Sequence, residues 1–161
     1  MIALGGFMAV GKTQVGRALA SQLDWPFVDL DFELEARFGP ITSQFEQHGE
    51  LVFRRRERDM LAELIRPSIV FATGGGAWVD PVSRLRLRRT GMRVVLHGTE
   101  AMLATRLRGD AARPLSGEWR ERLVRRRPCY ADAEVHVQVE GRSTADIVSE
   151  VYQLWRSREC G

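Results

Sequence analysis

The sequence is poor in cysteine, which excludes two common classes of small protein. Its 161 residues include two cysteines, Cys129 and Cys160, and they lie far apart in the chain. Disulfide-rich secreted domains and zinc sites need more cysteines, or cysteines and histidines at short spacings. We therefore expect neither a disulfide framework nor a zinc site.

Long hydrophobic runs are also lacking. No apolar run approaches the ~20 residues that a membrane-spanning helix requires. Residues 1–10 are largely apolar, but they carry neither the basic n-region nor the cleavage pattern of a signal peptide. We expect a cytoplasmic enzyme that does not insert into membranes.

Neither sign of charge is in large excess. The chain has 24 basic and 21 acidic residues, and its formal net charge is +3. Arginine clusters at positions 54–56, 84–89 and 125–127 lie among acidic residues such as Glu57 and Glu121. Nucleic-acid binding would instead favour a stripe of one sign and a recognisable motif. We expect no nucleic-acid partner.

Lysine is the scarcest charged residue, since Lys12 is the only lysine among the 24 basic residues. It lies in the stretch Gly6-Phe7-Met8-Ala9-Val10-Gly11-Lys12-Thr13, which fits the spacing G-x-x-x-x-G-K-[ST]. The two glycines let the backbone turn so that its N–H groups face phosphate oxygens. Lys12 can contact the β- and γ-phosphates, and Thr13 can offer its hydroxyl to Mg²⁺.

The surroundings of this stretch support a phosphate-binding loop. Residues 2–4 are typical of a short buried strand, and Val15, Leu19 and Leu23 recur at the spacing of a helix face. A strand, loop and helix in this order place the phosphates at a helix N-terminus, where free N–H groups and the dipole favour anions. The sequence therefore predicts a nucleoside-triphosphate-binding loop.

Two acids close the second predicted strand, residues 26–31. Asp29 and Asp31 are two residues apart, so on a strand they would face the same side. Ligands of open α/β sheets bind at the carboxyl ends of the strands, where such acids suit metal and hydroxyl chemistry. The alternative is that one of them only caps the following helix, residues 32–38.

Two further patterns are consistent with a second ligand. Arg54 and Glu57 lie one turn apart in a predicted helix over residues 50–65, either as a weak surface ion pair or as an arginine held to grip a carboxylate. Gly74, Gly75 and Gly76 follow a predicted strand over residues 68–73. Three glycines at the end of a buried strand indicate that a group approaches the backbone closely.

The remaining patterns complete an α/β order. Residues 41–49 are predicted as a connection, and Asp80-Pro81 as the start of a helix that ends at Gly91. A strand over 93–96 precedes a helix that Thr99 caps and that runs to about Arg108. A polar flap over 109–117 follows, and the next helix is predicted to stop at Pro128. Valines at 135, 137 and 139 indicate an edge strand, and a capping box at 143–146 opens the last helix. We predict one domain, a three-layer sandwich in which helices cover both faces of a five-stranded parallel sheet.

Together these motifs resemble the shikimate kinase family, within the P-loop nucleoside-monophosphate-kinase-like fold, over about residues 1–155. The first motif alone indicates only an NTPase, but the set is specific to the family. The motifs are Gly6-x4-Gly11-Lys12-Thr13, Asp29-x-Asp31, Phe53-Arg54-x-x-Glu57, Gly74-Gly75-Gly76, Arg113-Pro114-Leu115 and Arg126-x-Pro128-x-Tyr130.

The resemblance implies a nucleotide site. Lys12 would contact the phosphates, Thr13 would ligate Mg²⁺ and Asp29 would reach the metal through water. Arg113 matches an arginine of a mobile lid over about residues 109–117. The full set of expected nucleotide contacts is Ala9, Val10, Gly11, Lys12, Thr13, Gln14, Arg106, Arg113 and Arg142. Of these, Arg106 and Arg142 match the adenine-binding positions most loosely, and the family often has glycine in place of Ala9.

The resemblance also implies an acceptor site, within a helical segment over about residues 32–65 and the loop at 74–76. Asp31 matches the acid that holds the substrate hydroxyl and can take its proton. Arg54 and Arg126 match the arginines that bind the substrate carboxylate, and Glu57 would orient Arg54. The glycines at 74–76 would pack under the substrate ring. Lys12, Asp31 and Arg113 are the expected catalytic residues.

The expected reaction is transfer of the ATP γ-phosphate to shikimate by a monomeric, Mg²⁺-dependent enzyme of aromatic amino-acid biosynthesis. Two alternatives stay open on the sequence. One is a related kinase of a small molecule such as gluconate, which would not need the two arginines in this arrangement. The other is a regulatory module that binds ATP without turnover, against which Lys12, Asp31 and Arg113 argue.

Overall fold

The computed structural model describes residues 1–108 and 119–159. Its five strands form one sheet in the order β2-β3-β1-β4-β5, and every neighbouring pair is parallel. The strands are β1 (Ile2–Gly6), β2 (Phe27–Asp29), β3 (Val70–Ala72), β4 (Met92–His97) and β5 (Val135–Gln138). The predicted five-stranded parallel sheet is therefore confirmed, with the valine-rich strand at one edge.

Seven helices lie between or after the strands within these residues. They are α1 (Lys12–Leu23), α2 (Leu30–Phe38), α3 (Ile41–Leu64), α4 (Pro81–Thr90), α5 (Glu100–Arg108), α6 (Trp119–Tyr130) and α7 (Thr144–Glu159). None of these helices combines the length and the apolar character needed to cross a bilayer.

Two apolar cores form, one on each face of the sheet. Alternate residues of β1 divide between them: Ile2 and Leu4 join a core with α1, α5 and α7, whereas Ala3 joins a core with α2, α3 and α4. The alternation arises because successive side chains of a strand point to opposite faces of the sheet, and both faces of β1 are buried. The predicted helix cover on both faces is confirmed.

The topology fixes where a ligand can bind. From central β1 the chain passes to β2 and β3 on one side of the sheet, and then to β4 and β5 on the other. The crevice beyond the carboxyl end of β1 is therefore the switch point of the sheet, where open α/β folds bind their ligands. The phosphate loop leaves β1 at this point.

Several boundaries differ from the sequence predictions, and three of the differences bear on the site. Residues 41–48 are helical, and α3 is interrupted only at Gly49, whose φ of 75° breaks the helical geometry. Helix α2 begins at Leu30, so Asp31 lies in its first turn rather than on a strand. Helix α6 continues past Pro128 to Tyr130.

Asp80 anchors the start of α4, as predicted. Its carboxylate accepts a hydrogen bond from the Ser83 backbone N–H at 2.8 Å, and Arg58 of α3 donates from Nε to both of its oxygens. Burial alone would raise the pKa of Asp80, but the hydrogen bonds from Arg58 and Ser83 outweigh burial and hold this pKa below its usual value. The charge at Asp80 thus stabilises the packing of α3 on α4.

We expect Asp80→Ala to lower the free energy of unfolding by about 1–2 kcal/mol through loss of the helix cap. Because the folded state lowers the pKa of Asp80, this contribution is present above the unfolded carboxyl pKa and is lost as the pH falls through the folded value. The melting-temperature deficit should therefore be full at pH 7 and shrink below about pH 4. A deficit that is independent of pH would show that the carboxylate charge is not involved.

Candidate active site

The phosphate loop lies between β1 and α1 and turns on two glycines with positive φ, Gly6 at 131° and Gly11 at 105°. Lys12 opens α1, and its Nζ donates hydrogen bonds to the carbonyl oxygens of Gly6 at 3.1 Å and Phe7 at 3.2 Å. The ammonium is thus held over the loop that carries the phosphate-binding N–H groups. This is the strand, loop and helix arrangement that the sequence predicts.

Ala9 is the unusual residue of the loop. Its φ of 62° lies in the left-handed region, which costs a residue with a Cβ about 1–2 kcal/mol. Arg106 of α5 compensates from outside the loop, because its Nη1 donates to the carbonyl oxygens of Ala9 at 3.1 Å and Val10 at 3.2 Å. Arg106 therefore ties α5 to the phosphate loop, and its role at the adenine face stays a prediction.

The remaining expected nucleotide contacts are Gln14, Arg142 and Arg113. Gln14 is exposed in the first turn of α1. Arg142 precedes α7 and donates to Glu150 Oε2 at 2.5 Å and to the carbonyl oxygen of Asp146 at 3.3 Å. The adenine role of Arg142 also stays a prediction. Arg113 and the expected lid at 109–117 lie outside the described residues.

Thr13 and Asp29 form a pair of hard oxygen donors beside the loop. The Thr13 hydroxyl donates to Asp29 Oδ2 at 2.6 Å, and Asp29 Oδ1 accepts from the backbone N–H of Asp31 at 3.1 Å. Asp29 thus caps α2, as the alternative interpretation proposed, and still faces the phosphate loop. A hydroxyl and a carboxylate suit Mg²⁺, which takes few protein ligands when phosphates and waters supply the rest.

Arg54 is held between two glutamates on α3. Its Nη1 donates to Glu57 Oε2 at 2.8 Å, and its Nε and Nη2 both lie 3.2 Å from Glu50 Oε1. Burial alone would lower the pKa of Arg54, but Glu57 and Glu50 outweigh it and raise this pKa. Glu50 was missed at the sequence level, although its spacing of four residues from Arg54 is that of a helical ion pair.

Arg126 is the second cation of the site, and its environment differs from that of Arg54. Its side chain is 8% exposed, and no carboxylate forms an ion pair with it among residues 1–108 and 119–159. Burial lowers the pKa of Arg126, and the charge of Arg54 lowers it further. Its guanidinium lies 5.9 Å from the ring centre of Phe7 in the phosphate loop. A buried cation with no carboxylate partner needs an anion, which a ligand can supply.

The three glycines after β3 each lie against a different polar side chain. A Cβ on Gly74 would be 2.6 Å from oxygens of both Asp31 and Glu57. A Cβ on Gly75 would be 2.3 Å from Arg126 Nη1, and one on Gly76 would be 1.8 Å from Arg54 Nη1. The glycines therefore leave room for two acids, Asp31 and Glu57, and two arginines to converge at a single place.

Behind this loop, a short polar chain joins it to the phosphate-loop strand. Trp78 Nε1 donates to Thr73 Oγ1 at 2.7 Å, and Thr73 Oγ1 donates to the carbonyl oxygen of Leu4 at 3.0 Å. The indole fills the space beside Gly5, where a Cβ would be 2.3 Å from the ring. No pattern in the sequence indicates this contact, because it depends on which side chain packs beside Gly5 in the folded chain.

We expect Gly76→Ala to raise the KM for a carboxylate acceptor by about 10- to 100-fold, since a displaced Arg54 loses charged hydrogen bonds worth about 1.5–3 kcal/mol. A Cβ at Gly76 would also lie 2.6 Å from Oε2 of the buried Glu57, which pairs with Arg54, so we expect the melting temperature to fall as well. Steady-state kinetics would test this, with the KM for ATP as the internal control. An unchanged acceptor KM would contradict the role of Gly76.

A cavity of about 670 Å³ opens between α3 and α6 at this site, and Arg54 and Arg126 both line it. Its lining also includes further arginines of α6 and glutamates of both helices. Phosphate loop, metal donors and acceptor cavity thus meet at the carboxyl edge of the sheet. Such an arrangement belongs to the P-loop kinases that phosphorylate a small anionic molecule.

Comparison with known proteins identifies the family within the P-loop kinases to which this chain belongs. A family model described as shikimate kinase matches residues 8–156. The shikimate kinase of Thiobacillus denitrificans is 42% identical over 158 residues, which cover 92% of this chain and 86% of the relative. The chain belongs to the shikimate kinase family. The family, the fold and the kinase activity predicted from the sequence are thereby confirmed.

Solved structures agree with the sequence comparison. Shikimate kinase from Acinetobacter baumannii in complex with shikimate superposes with a TM-score of 0.92 at 35% identity, and the match covers 99% of this chain and 94% of that one. A gluconokinase from Sinorhizobium meliloti has a TM-score of 0.64 at 20% identity, with coverage of 98% and 94%. The second likeness reflects the shared fold alone.

Proposed function

We propose that this chain transfers the γ-phosphate of ATP to the 3-hydroxyl of shikimate, giving shikimate 3-phosphate and ADP in chorismate and aromatic amino-acid biosynthesis. The observation that carries the proposal is the buried guanidinium of Arg126 beside Arg54 and Gly75, which has no carboxylate partner among residues 1–108 and 119–159. An acceptor carboxylate would supply the missing anion, and guanidinium groups suit paired hydrogen bonds to a carboxylate.

In this proposal the acceptor lies over Gly74–Gly76, with its carboxylate on Arg54 and Arg126. Glu57, with Glu50, holds Arg54 in place. Asp31, which lies against Gly74, accepts the hydrogen bond of the reacting hydroxyl and orients its oxygen toward the γ-phosphate. Phosphoryl transfer needs such positioning and charge neutralisation more than covalent chemistry.

The phosphate side of the site neutralises charge. Backbone N–H groups of the loop over residues 9–14 and the Lys12 ammonium bind the phosphates, and Arg113 closes on the transferring group from the lid. Thr13 and Asp29 would hold Mg²⁺, which when bound offsets charge on the β- and γ-phosphates. Arg106 and Arg142 flank the adenine. We further propose that the enzyme works as a cytoplasmic monomer.

ADP release by the purified protein with Mg²⁺-ATP tests the proposal when shikimate, gluconate and no acceptor are compared. Fast release with shikimate alone is the expected result. Release with gluconate alone would retain the P-loop kinase fold but overturn the acceptor. If ATP binds and no acceptor gives release, a regulatory module becomes the better assignment, and Ala9→Gly would be the first variant to test for recovered turnover.

A further inference from the structure

Tyr130 is a buried residue of this site to which no role has been assigned above. It ends α6, four residues after Arg126, so the two side chains share one face of the helix. Its ring is 3% exposed and packs edge-on against Trp78, with ring centres 6.1 Å apart. The continuation of α6 past Pro128 is what brings Tyr130 under the acceptor site.

The hydroxyl of Tyr130 is buried and makes no hydrogen bond in the part of the chain that the structure describes. Burial raises the pKa of Tyr130 to about 12, although the charge of Arg126 and the closeness of its guanidinium to the phenol oxygen oppose this rise. The phenol therefore keeps its proton at physiological pH. A buried hydroxyl without a partner destabilises the folded state, so its presence calls for a reason.

The hydroxyl is aimed at the place where Arg126 meets the glycine loop. A Cβ on Gly75 would lie 3.5 Å from the Tyr130 hydroxyl, 2.3 Å from Arg126 Nη1 and 3.3 Å from Arg126 Cζ. The phenol oxygen and the guanidinium thus converge on one point of the acceptor-site floor. A small rotation of the guanidinium would turn an N–H group onto the phenol oxygen.

We propose that Tyr130 is a positioning residue whose hydroxyl oxygen accepts a hydrogen bond from Arg126 when that guanidinium turns onto the acceptor carboxylate. This hydrogen bond would form when the acceptor binds, and it would fix one edge of the guanidinium. The other N–H groups of Arg126 would then be available to the acceptor carboxylate. A contact made only in the bound state adds to affinity without adding to the stability of the free protein. This inference rests on the proposed shikimate kinase activity.

The variant Tyr130→Phe tests it, because it removes only the hydroxyl. We expect the dissociation constant and KM for shikimate to rise about tenfold, with kcat and the KM for ATP within about twofold. The melting temperature of the free variant should be unchanged or raised by about 2–4 °C, since an unpaired buried hydroxyl is removed. Affinity and stability would then move in opposite directions, which a purely structural hydroxyl would not cause.

Two controls make the test specific. Tyr152→Phe makes the same chemical change at the only other tyrosine, which lies on α7 beside Trp155, and it should leave every parameter near the wild-type value. Shikimate methyl ester lacks the carboxylate charge, so wild type and Tyr130→Phe should bind the ester equally weakly.

The other outcomes are decisive as well. An unchanged affinity for shikimate in an active Tyr130→Phe variant would overturn the inference and leave the proposed function standing. An equal loss of affinity for the ester, or a clear drop in melting temperature, would overturn it too, because the hydroxyl would then act on the ring site or on the fold. If the wild type releases no ADP with shikimate, the proposed function and this inference fall together.

Discussion

Lys12→Ala should lower kcat for ADP formation with shikimate by about a thousandfold. The ammonium is held over the phosphate loop by the carbonyl oxygens of Gly6 and Phe7, where it opposes charge on the transferring phosphoryl group. Loss of one preorganised donor to developing charge costs about 10²–10³ in rate, and here a full positive charge is lost as well. A coupled ADP assay at saturating substrates would measure the effect.

The matched control is Arg17→Ala. Arg17 lies on the same helix and carries the same charge, but it is exposed and its guanidinium lies 5.8 Å from the ring centre of Phe27 rather than at the loop. Its removal should leave kcat within about twofold, in line with other surface substitutions. Retained turnover in Lys12→Ala would refute the assignment of the loop, whereas equal losses in both variants would indicate a general effect of charge on α1.

Lys12 as the only lysine also permits a chemical test. An amine-specific reagent can modify only the Lys12 side chain and the N-terminal amine, so peptide mass spectrometry would report on Lys12 directly. Mg²⁺-ATP should protect Lys12 from modification, because the bound phosphates would contact its ammonium group and block the reagent. Modification at the same rate with and without nucleotide would contradict phosphate contact.

The fold and much of the site could be predicted because their signals are local in the sequence. The phosphate loop, the cap at Asp80 and the capping box at Ser143 and Asp146 each follow from spacing over a few residues, and the structure forms all three. The parallel sheet follows from strands that alternate with helices. These features need no knowledge of distant neighbours.

What could not be predicted depends on tertiary neighbours. Arg126 stands in a run of three arginines and was identified only through the family resemblance. The physical feature that distinguishes it from Arg125 and Arg127 is its packing against Gly75 and Phe7. In the sequence Trp78 is simply another apolar residue, and only the structure shows that its ring fills the space beside Gly5. The helical start of α3 was missed because residues 41–48 form a short polar stretch with Gly39-Pro40 before it and Gly49 after it. Such a pattern is typical of a loop.

Arg54→Ala should raise the KM for shikimate by about 30-fold or more while the KM for ATP stays within about twofold. Removing one partner of a buried charged contact costs about 2–5 kcal/mol, and each 1.4 kcal/mol is a factor of ten. Arg55→Ala is the matched control, since Arg55 is the next residue on α3 but is 85% exposed. An unchanged KM for shikimate in Arg54→Ala would refute the carboxylate assignment.

The same variant should also lose stability, because it leaves Glu57, which is 3% exposed, without its closest cation. Burial raises the pKa of Glu57, and Arg54 now opposes that rise, so this pKa should rise further in Arg54→Ala. When a carboxyl group has a higher pKa in the folded than in the unfolded protein, its contribution to stability is fully present below the unfolded-state pKa. This contribution is lost as the pH rises through the folded-state pKa. The loss in melting temperature should therefore be larger at pH 8 than at pH 5.

A second substitution separates affinity from stability at this pair. Glu57→Gln in the Arg54→Ala background removes the buried carboxylate and should restore most of the lost melting temperature, because an amide costs less to bury than an unpaired charge. It should not restore the affinity for shikimate, because no guanidinium returns to the cavity. Recovery of both together would mean that Arg54 serves only to neutralise Glu57, and that Arg126 alone binds the acceptor carboxylate.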